Sequence, residues 1–236
     1  FEQCFPYLNL CRSLHGVDAT EVMNRIVRFG DVDIIKMMIQ HGYELGVFSC
    51  ESAVQSGNVE CLKFVLESGF SVTERAFSLA ASAGSLPSLQ LLHDCSNDPK
   101  RFSDACRAAA SAGHLHCVKF LKEQDYRCNY EAAFSATARG HLHVIQYLST
   151  FPSSHYWFQG STRVAAQKGF IEILEFFNNH RYPWNEQTCS WCAGSGQLEA
   201  LKYLHEHGCP WDYTTCLAAV HGDHLECLKY AIGNGC

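Results

Sequence analysis

Residues 189–209, CSWCAGSGQLEALKYLHEHGC, carry Cys189-x2-Cys192, then twelve residues, then His205-x3-Cys209. Thiolates and an imidazole at those intervals are the ligand set of a small structural zinc site, tetrahedral and closed, of the kind used in nucleic-acid recognition. Eleven-residue steps form a second pattern: Cys50 with Cys61, Cys106 with Cys117, and Cys216 with Cys227. Pairs at a fixed step suit disulfides in an exported protein and packing thiols in a cytosolic one. Whether any of these side chains converge depends on the elements that carry them.

The bulk properties narrow the choice. The chain has 236 residues, 47% hydrophobic and 18% charged, which is the composition of a folded domain and not of a disordered segment. A net charge of -6 argues against the clustered Lys and Arg that a phosphate backbone demands. No apolar run approaches the length of a membrane span, and no charged-then-apolar signal segment opens the chain, which starts at Phe1. Fourteen cysteines and thirteen histidines leave disulfide, metal and packing roles open on composition alone.

Position separates them, because the chain repeats. Glycines stand at 30, 57, 84, 113, 140, 169 and 196, and Asp223 continues the series, in steps of 27 or 29 residues. Such a period marks a stack of supersecondary units. Five residues after each turn residue come Ile35, Leu62, Leu89, Val118, Ile145, Leu174, Leu201 and Leu228. With apolar columns at offsets two, seven and eight, these make one stripe of a helix. Four residues before the turn come Ile26 and then Ala53, Ala80, Ala109, Ala136, Ala165, Cys192 and Ala219, a small-residue column that lets another backbone pass close by. Each repeat therefore reads as a short Ala-rich helix, a turn in the left-handed region, and a longer amphipathic helix. A second glycine closes the latter at Gly42, Gly69, Gly208 and Gly235. Residues 3–16 overlay the second helix of an incomplete leading repeat.

The zinc-like spacing dissolves in this frame. Cys189 shares a column with Cys50, Cys106 and Cys216, Cys192 fills the small-residue column, and a whole copy of the repeat lies between them and Cys209. The four residues fall on different elements and no other repeat carries the set, so buried apolar thiols are the expectation. Apolar residues replace the eleven-step cysteines in other repeats, which favours packing there too. His114, His141 and His224 directly follow the turn, where they are expected to start the second helix and bond locally. No nucleophile motif, phosphate loop or strand-borne glycine loop is present, so neither catalysis nor a cofactor is expected.

GHLHCVKFL (113–121), SGQLEALKYLHEHGCPWDYTTCLAA (195–219) and GDHLECLKYA (222–231) resemble ankyrin repeats. They are closest to a short variant of about 27 residues found in protists, oomycetes, brown algae and giant DNA viruses. The resemblance covers essentially the whole chain. It implies one all-α, ankyrin-like solenoid over residues 1–236, with β-hairpin fingers reduced or absent because the linkers are short. It implies a protein–protein interaction scaffold or adaptor that binds another protein on the short-helix and turn face, without nucleic acid or membrane. Monomeric, intracellular protein with reduced cysteines is the matching expectation, with secretion as an effector the other setting. A structural spacer within a larger repeat protein, or a Cys/His metal or redox protein, is the alternative.

Carried onto this chain, the family's contact positions just before the turn begin with Arg28, Phe29 and Gln55 and continue with Arg139, Gln167, Lys168 and His221. Arg107, Tyr130, Phe134 and Arg163, further up the first helix, are expected to join that surface, because aromatic and Arg side chains are the commonest binding anchors. At the end of the sequence Leu225, Leu228 and Tyr230 keep the apolar columns of interior repeats, so further repeats or a partner are expected to cover that face.

Overall fold

The computed structural model describes residues 19–96, 104–151, 157–158, 160–182 and 184–236. The leading repeat expected at 3–16 lies outside them. Two compact units are formed, residues 1–102 and 103–236. Among the described residues every regular element is a helix and there is no strand.

The first unit holds α1 (Ala19–Phe29), α2 (Val32–Gln40), α3 (Ser49–Ser56), α4 (Val59–Glu67), α5 (Glu74–Ser82) and α6 (Leu86–Asp94). The second holds α7 (Asp104–Ala112), α8 (Leu115–Glu123), α9 (Tyr130–Ala138), α10 (Leu142–Ser149), α11 (Ser161–Lys168), α12 (Ile171–Asn179), α13 (Glu186–Gly194), α14 (Leu198–Glu206), α15 (Tyr213–His221) and α16 (Leu225–Gly233). Within each unit consecutive helices pair antiparallel, and consecutive first helices (odd numbers) pack side by side. Each unit is therefore a helical-repeat stack.

The turn column behaves as its residue types demand. Gly30, Gly57, Gly84, Gly113, Gly140, Gly169 and Gly196 have φ between 70° and 79°, and Asp223 takes 59° in their place. A left-handed residue here lets the second helix fold back along the first within two residues, and Asp tolerates it better than most side chains. The second helix is not the longer one: α2 to α16 (even numbers) run eight or nine residues, and the first helices eight to eleven. In six repeats a second left-handed residue twelve positions after the turn follows the end of the helix. Gly42, Gly69, Gly208 and Gly235 supply it in four repeats, while Asp125 (φ 63°) and Arg181 (φ 57°) adopt it without glycine.

Burial follows the columns. Ala53, Ala80, Ala109, Ala136, Ala165, Cys192 and Ala219 are at most 1% exposed, so first helices approach over methyls and one thiol. Ile35, Leu62, Leu89, Val118, Ile145, Leu174 and Leu201 are fully buried one column over. Burying such side chains stabilises by roughly 1.5–3 kcal/mol each. In the last pair Val220, Leu225 and Ile232 are exposed by 52–61%. In the other repeats the Val220 column is buried and the Leu225 column half-buried.

Residues just after the turn bind backward along the stack. Asn58 Nδ2 donates to the Gly30 carbonyl at 2.8 Å, and His141 Nε2 lies 3.0 Å from the Ser111 carbonyl. The local role expected for His141 is thus replaced by a bridge to the preceding repeat. Its neighbour His143 does the same to the Gly113 carbonyl at 2.8 Å. On the outer side Glu199–Lys202 and Glu226–Lys229 pair at 2.8 Å, as solvated helix-face charges should.

Candidate functional site

Side-by-side packing of first helices leaves shallow grooves between them, floored by the columns that carry small residues. In the second unit one such groove, of about 640 Å³, runs over α11, α13 and α15. Gly194, Ala218 and Gly222 form its floor, and Gln167, Gln187, Ser190 and Thr214 offer neutral donors and acceptors along it. Trp191 and Leu217 supply the apolar surface. The Arg163 guanidinium lies 5.3 Å from the Trp191 ring centroid, a cation–π contact that holds the indole in place. Among the described residues His221 is the one ionisable side chain lining the groove.

A smaller groove of about 410 Å³ crosses α1, α3 and α5 in the first unit. Its chemistry is different: Glu21, Arg25, Arg28, Glu51 and Arg75 all line it, with Phe48 at the entrance to α3. Glu21 and Arg25 pair at 2.6 Å, one turn apart. Glu51 is 8% exposed; its Oε1 accepts from Thr73 Oγ1 at 2.7 Å, and Thr73 Oγ1 in turn caps α5 by accepting from the Ala76 N–H.

The structure brings together some of the residues expected at a partner surface. Arg28 and Gln55 line the first groove; Gln167 and His221 line the second, with Arg163 stacked on its Trp191. The others line neither. Phe29, 83% exposed, flanks the turn at Gly30. Arg107 is held by Asp104 at 3.1 Å on its own helix, which also pulls the Asp104 carboxyl below its ordinary range. Tyr130 and Phe134 are exposed on α9, the Tyr130 hydroxyl 3.3 Å from Glu131, and Arg139 and Lys168 are exposed beside their turns. Glu51, Trp191 and Leu217 were not anticipated. One signal was available: Arg107, Phe134 and Arg163 stand six residues before their turns, and the same column elsewhere holds Asn24, Glu51, Ser190 and Leu217, which all line a groove.

The cysteines take mostly packing positions. Cys50, Cys61, Cys117, Cys189, Cys192 and Cys227 are at most 1% exposed. Burial raises the Cys117 thiol to about 11, and burial together with the Glu51 carboxylate raises Cys50 to about 12. Thiols so displaced stay protonated near neutral pH and serve as small apolar groups. Cys106 differs: it is bonded to Cys128, with Cα atoms 5.4 Å apart, and not to Cys117 eleven residues on. Cys128 lies in the linker before α9, next to the first turn of α7, whereas Cys117 is buried on α8. The zinc-spaced cysteines lie near one another, but His205 is engaged elsewhere. Cys192 Sγ donates to the Ala166 carbonyl at 3.3 Å, and His205 stacks on Trp211 at 3.9 Å. Cys209 Sγ donates to the Asn185 carbonyl at 3.5 Å, beside Cys189, whose thiol it raises. Among the described residues no three His, Cys, Asp or Glu side chains group as metal ligands, and no helix is long and apolar enough to cross a membrane.

Paired helices on a 27-residue period, with a left-handed turn and small residues between first helices, define a helical-repeat protein. The family of ankyrin repeats (many copies) matches residues 189–232, from α13 into α16, and the remaining pairs carry the same columns. That match and the all-helical repeat architecture support an ankyrin-repeat protein. No curated protein matches it. Ankyrin repeats generally mediate protein–protein interaction and are typically non-catalytic.

Proposed function

We propose that the chain is a non-catalytic recognition module that holds a segment of another protein on its first-helix face, with the groove over α11, α13 and α15 as the principal seat. The observation that carries this reading is the make-up of that groove. An indole fixed under Arg163 and an exposed Leu217 flank a floor of Gly194, Ala218 and Gly222, so a peptide backbone can come close while an apolar side chain meets Trp191. Binding energy usually concentrates on such Trp and Arg anchors, and the surrounding neutral polar groups satisfy the backbone of what lies over them. Among the described residues His221 is the one ionisable side chain lining the groove, so the contacts it offers are mainly neutral hydrogen bonds and apolar surface.

Affinity capture from native lysate, run with the native chain beside Trp191→Ala and Leu217→Ser, tests the assignment. Proteins retained by the native chain and lost with both variants are expected, with far-UV circular dichroism unchanged, since both side chains are partly exposed. Truncating an indole anchor reduces affinity by roughly 2 kcal/mol or more. Retention of the same proteins by the variants would remove the groove from the binding surface.

A further inference from the structure

The first unit's groove contains a group that its own chain leaves incomplete. Glu51 is 8% exposed, and among the described residues its Oε2 has no hydrogen-bond partner, while Oε1 is taken by Thr73. A buried carboxylate oxygen without a donor is unfavourable until something supplies one. The flanking charges say what that something carries. Arg25 is already paired with Glu21, but among the described residues Arg28 and Arg75, both exposed, have no ion-pair partner. In a chain of net charge -6, two free guanidiniums at one groove form a local basic site. They match a carboxylate and repel a cation.

We propose that this groove binds an acidic peptide segment, whose carboxylates pair with Arg28 and with Arg75 while an N–H of the segment between them donates to Glu51 Oε2. The proposal rests on the recognition reading above and gives the first unit a ligand chemistry of its own. The exposed Phe48 ring adds apolar surface beside the charged pair. The role of Glu51 is twofold. Through Thr73 it fixes the cap of α5, the helix that presents Arg75, and through Oε2 it reads a donor on the ligand. An acidic segment lacking a donor at that place would leave the buried oxygen unsatisfied, so the site selects more than negative charge.

The test uses a display library of random peptides of about twelve residues, twice the roughly six that an extended chain needs to cross three packed helices. It is panned on the full chain, and the winners are titrated against variants. Enrichment of Asp and Glu is expected, with binding reduced by about tenfold or more in Arg28→Glu/Arg75→Glu and in the milder Arg28→Gln/Arg75→Gln. Glu51→Gln keeps an acceptor for Thr73 but places a donor where Oε2 stood. Removal of a negative charge alone would tighten an acidic ligand, whereas loss of the reader weakens it, and a several-fold weakening is expected. Unchanged melting of the variants separates these effects from unfolding. Winners that are not acidic, that tolerate both arginine variants, or that tighten on Glu51→Gln would overturn the proposal. If winners depend on Trp191 and not on Arg28 and Arg75, the recognition reading stands and this one falls; if no peptide is selected, both fall.

Discussion

The two grooves are cut from the same columns of the repeat, nine, six, five and two residues before the turn, yet they are chemically opposite. In the first unit those columns hold Arg75, Glu51, Arg25 and Arg28; in the second, Thr214, Ser190, Trp191 and Gln167. The backbone positions are set by the turn glycines and the alanine column, which are common to both. What differs is free to differ, because these side chains lie outside the turn and alanine columns that set the backbone. A repeat protein can thus vary ligand chemistry along its length without altering the stack that presents it.

The sharpest way to separate the two units is reduction. Among the described residues the one bridge, Cys106–Cys128, lies in the second unit and closes a loop over a sequence separation of 22. Such a loop constrains the unfolded chain by about 3 kcal/mol. Dithiothreitol, or the Cys106→Ser/Cys128→Ser pair, is expected to lower amide-exchange protection in the second unit by that amount while leaving α1 to α6 unchanged. Equal loss in both units, or none in the second, would show that the bridge does not distinguish them.

A smaller effect bears on the groove floors. A Cβ added at Gly222 would sit 2.5 Å from the Gly194 carbonyl oxygen, a backbone atom, and 2.7 Å from the His224 ring. The same column in the first unit holds Phe29 and Ser56, so the close approach belongs to the floor under Trp191 and not to the repeat as such. Gly222→Ala is expected to destabilise by about 2 kcal/mol in urea titration, at the level of an overpacked core, despite the entropy alanine removes from the unfolded chain. A stabilising outcome would mean that α13 and α15 part readily, and that the second groove is not a rigid seat.

Most of the scaffold is legible in the amino-acid sequence. The glycine series, the alanine column and the apolar stripe named the helix pairs, because core and turn positions admit few residue types. Relative helix length was misread because the apolar stripe runs on to the closing position, whereas the helix itself stops after eight or nine residues, with Asp125 and Arg181 closing it even without glycine. The Cys106–Cys128 bond was missed because it joins a helix to a linker, two elements whose contact no helical periodicity reports. The grooves were half visible. Positions next to the turn pointed to Arg28, Gln55, Gln167 and His221, but Glu51 and Trp191 stand on columns whose residue types change in every repeat. Only packing shows which of those positions face a neighbouring helix.

The smallest expected effect concerns an arginine that sequence placed on the binding face and that structure ties down. Arg107 donates to both Asp104 carboxylate oxygens, at 3.1 and 3.2 Å, whereas Arg163, in the same column, lies over Trp191. The Arg107 hydrogen bond holds the Asp104 carboxyl below its usual range. A carboxyl whose folded pKa is depressed contributes stability above its unfolded pKa and loses it as pH falls through the folded value. Acidification below about pH 4 should therefore remove this contribution, and Arg107→Ala should remove it at neutral pH. Both side chains are more than 40% exposed, so solvent screening limits the effect to a few tenths of a kcal/mol. The comparison is between two columns-mates: Arg107→Ala should leave groove binding intact, because its charge is spent on Asp104, while Arg163→Ala should weaken it by loosening the indole. Parallel titrations of one selected peptide against both variants read this directly. Equal losses would mean that the first-helix arginines act through their summed field, and the distinction between a tied and a working arginine would disappear.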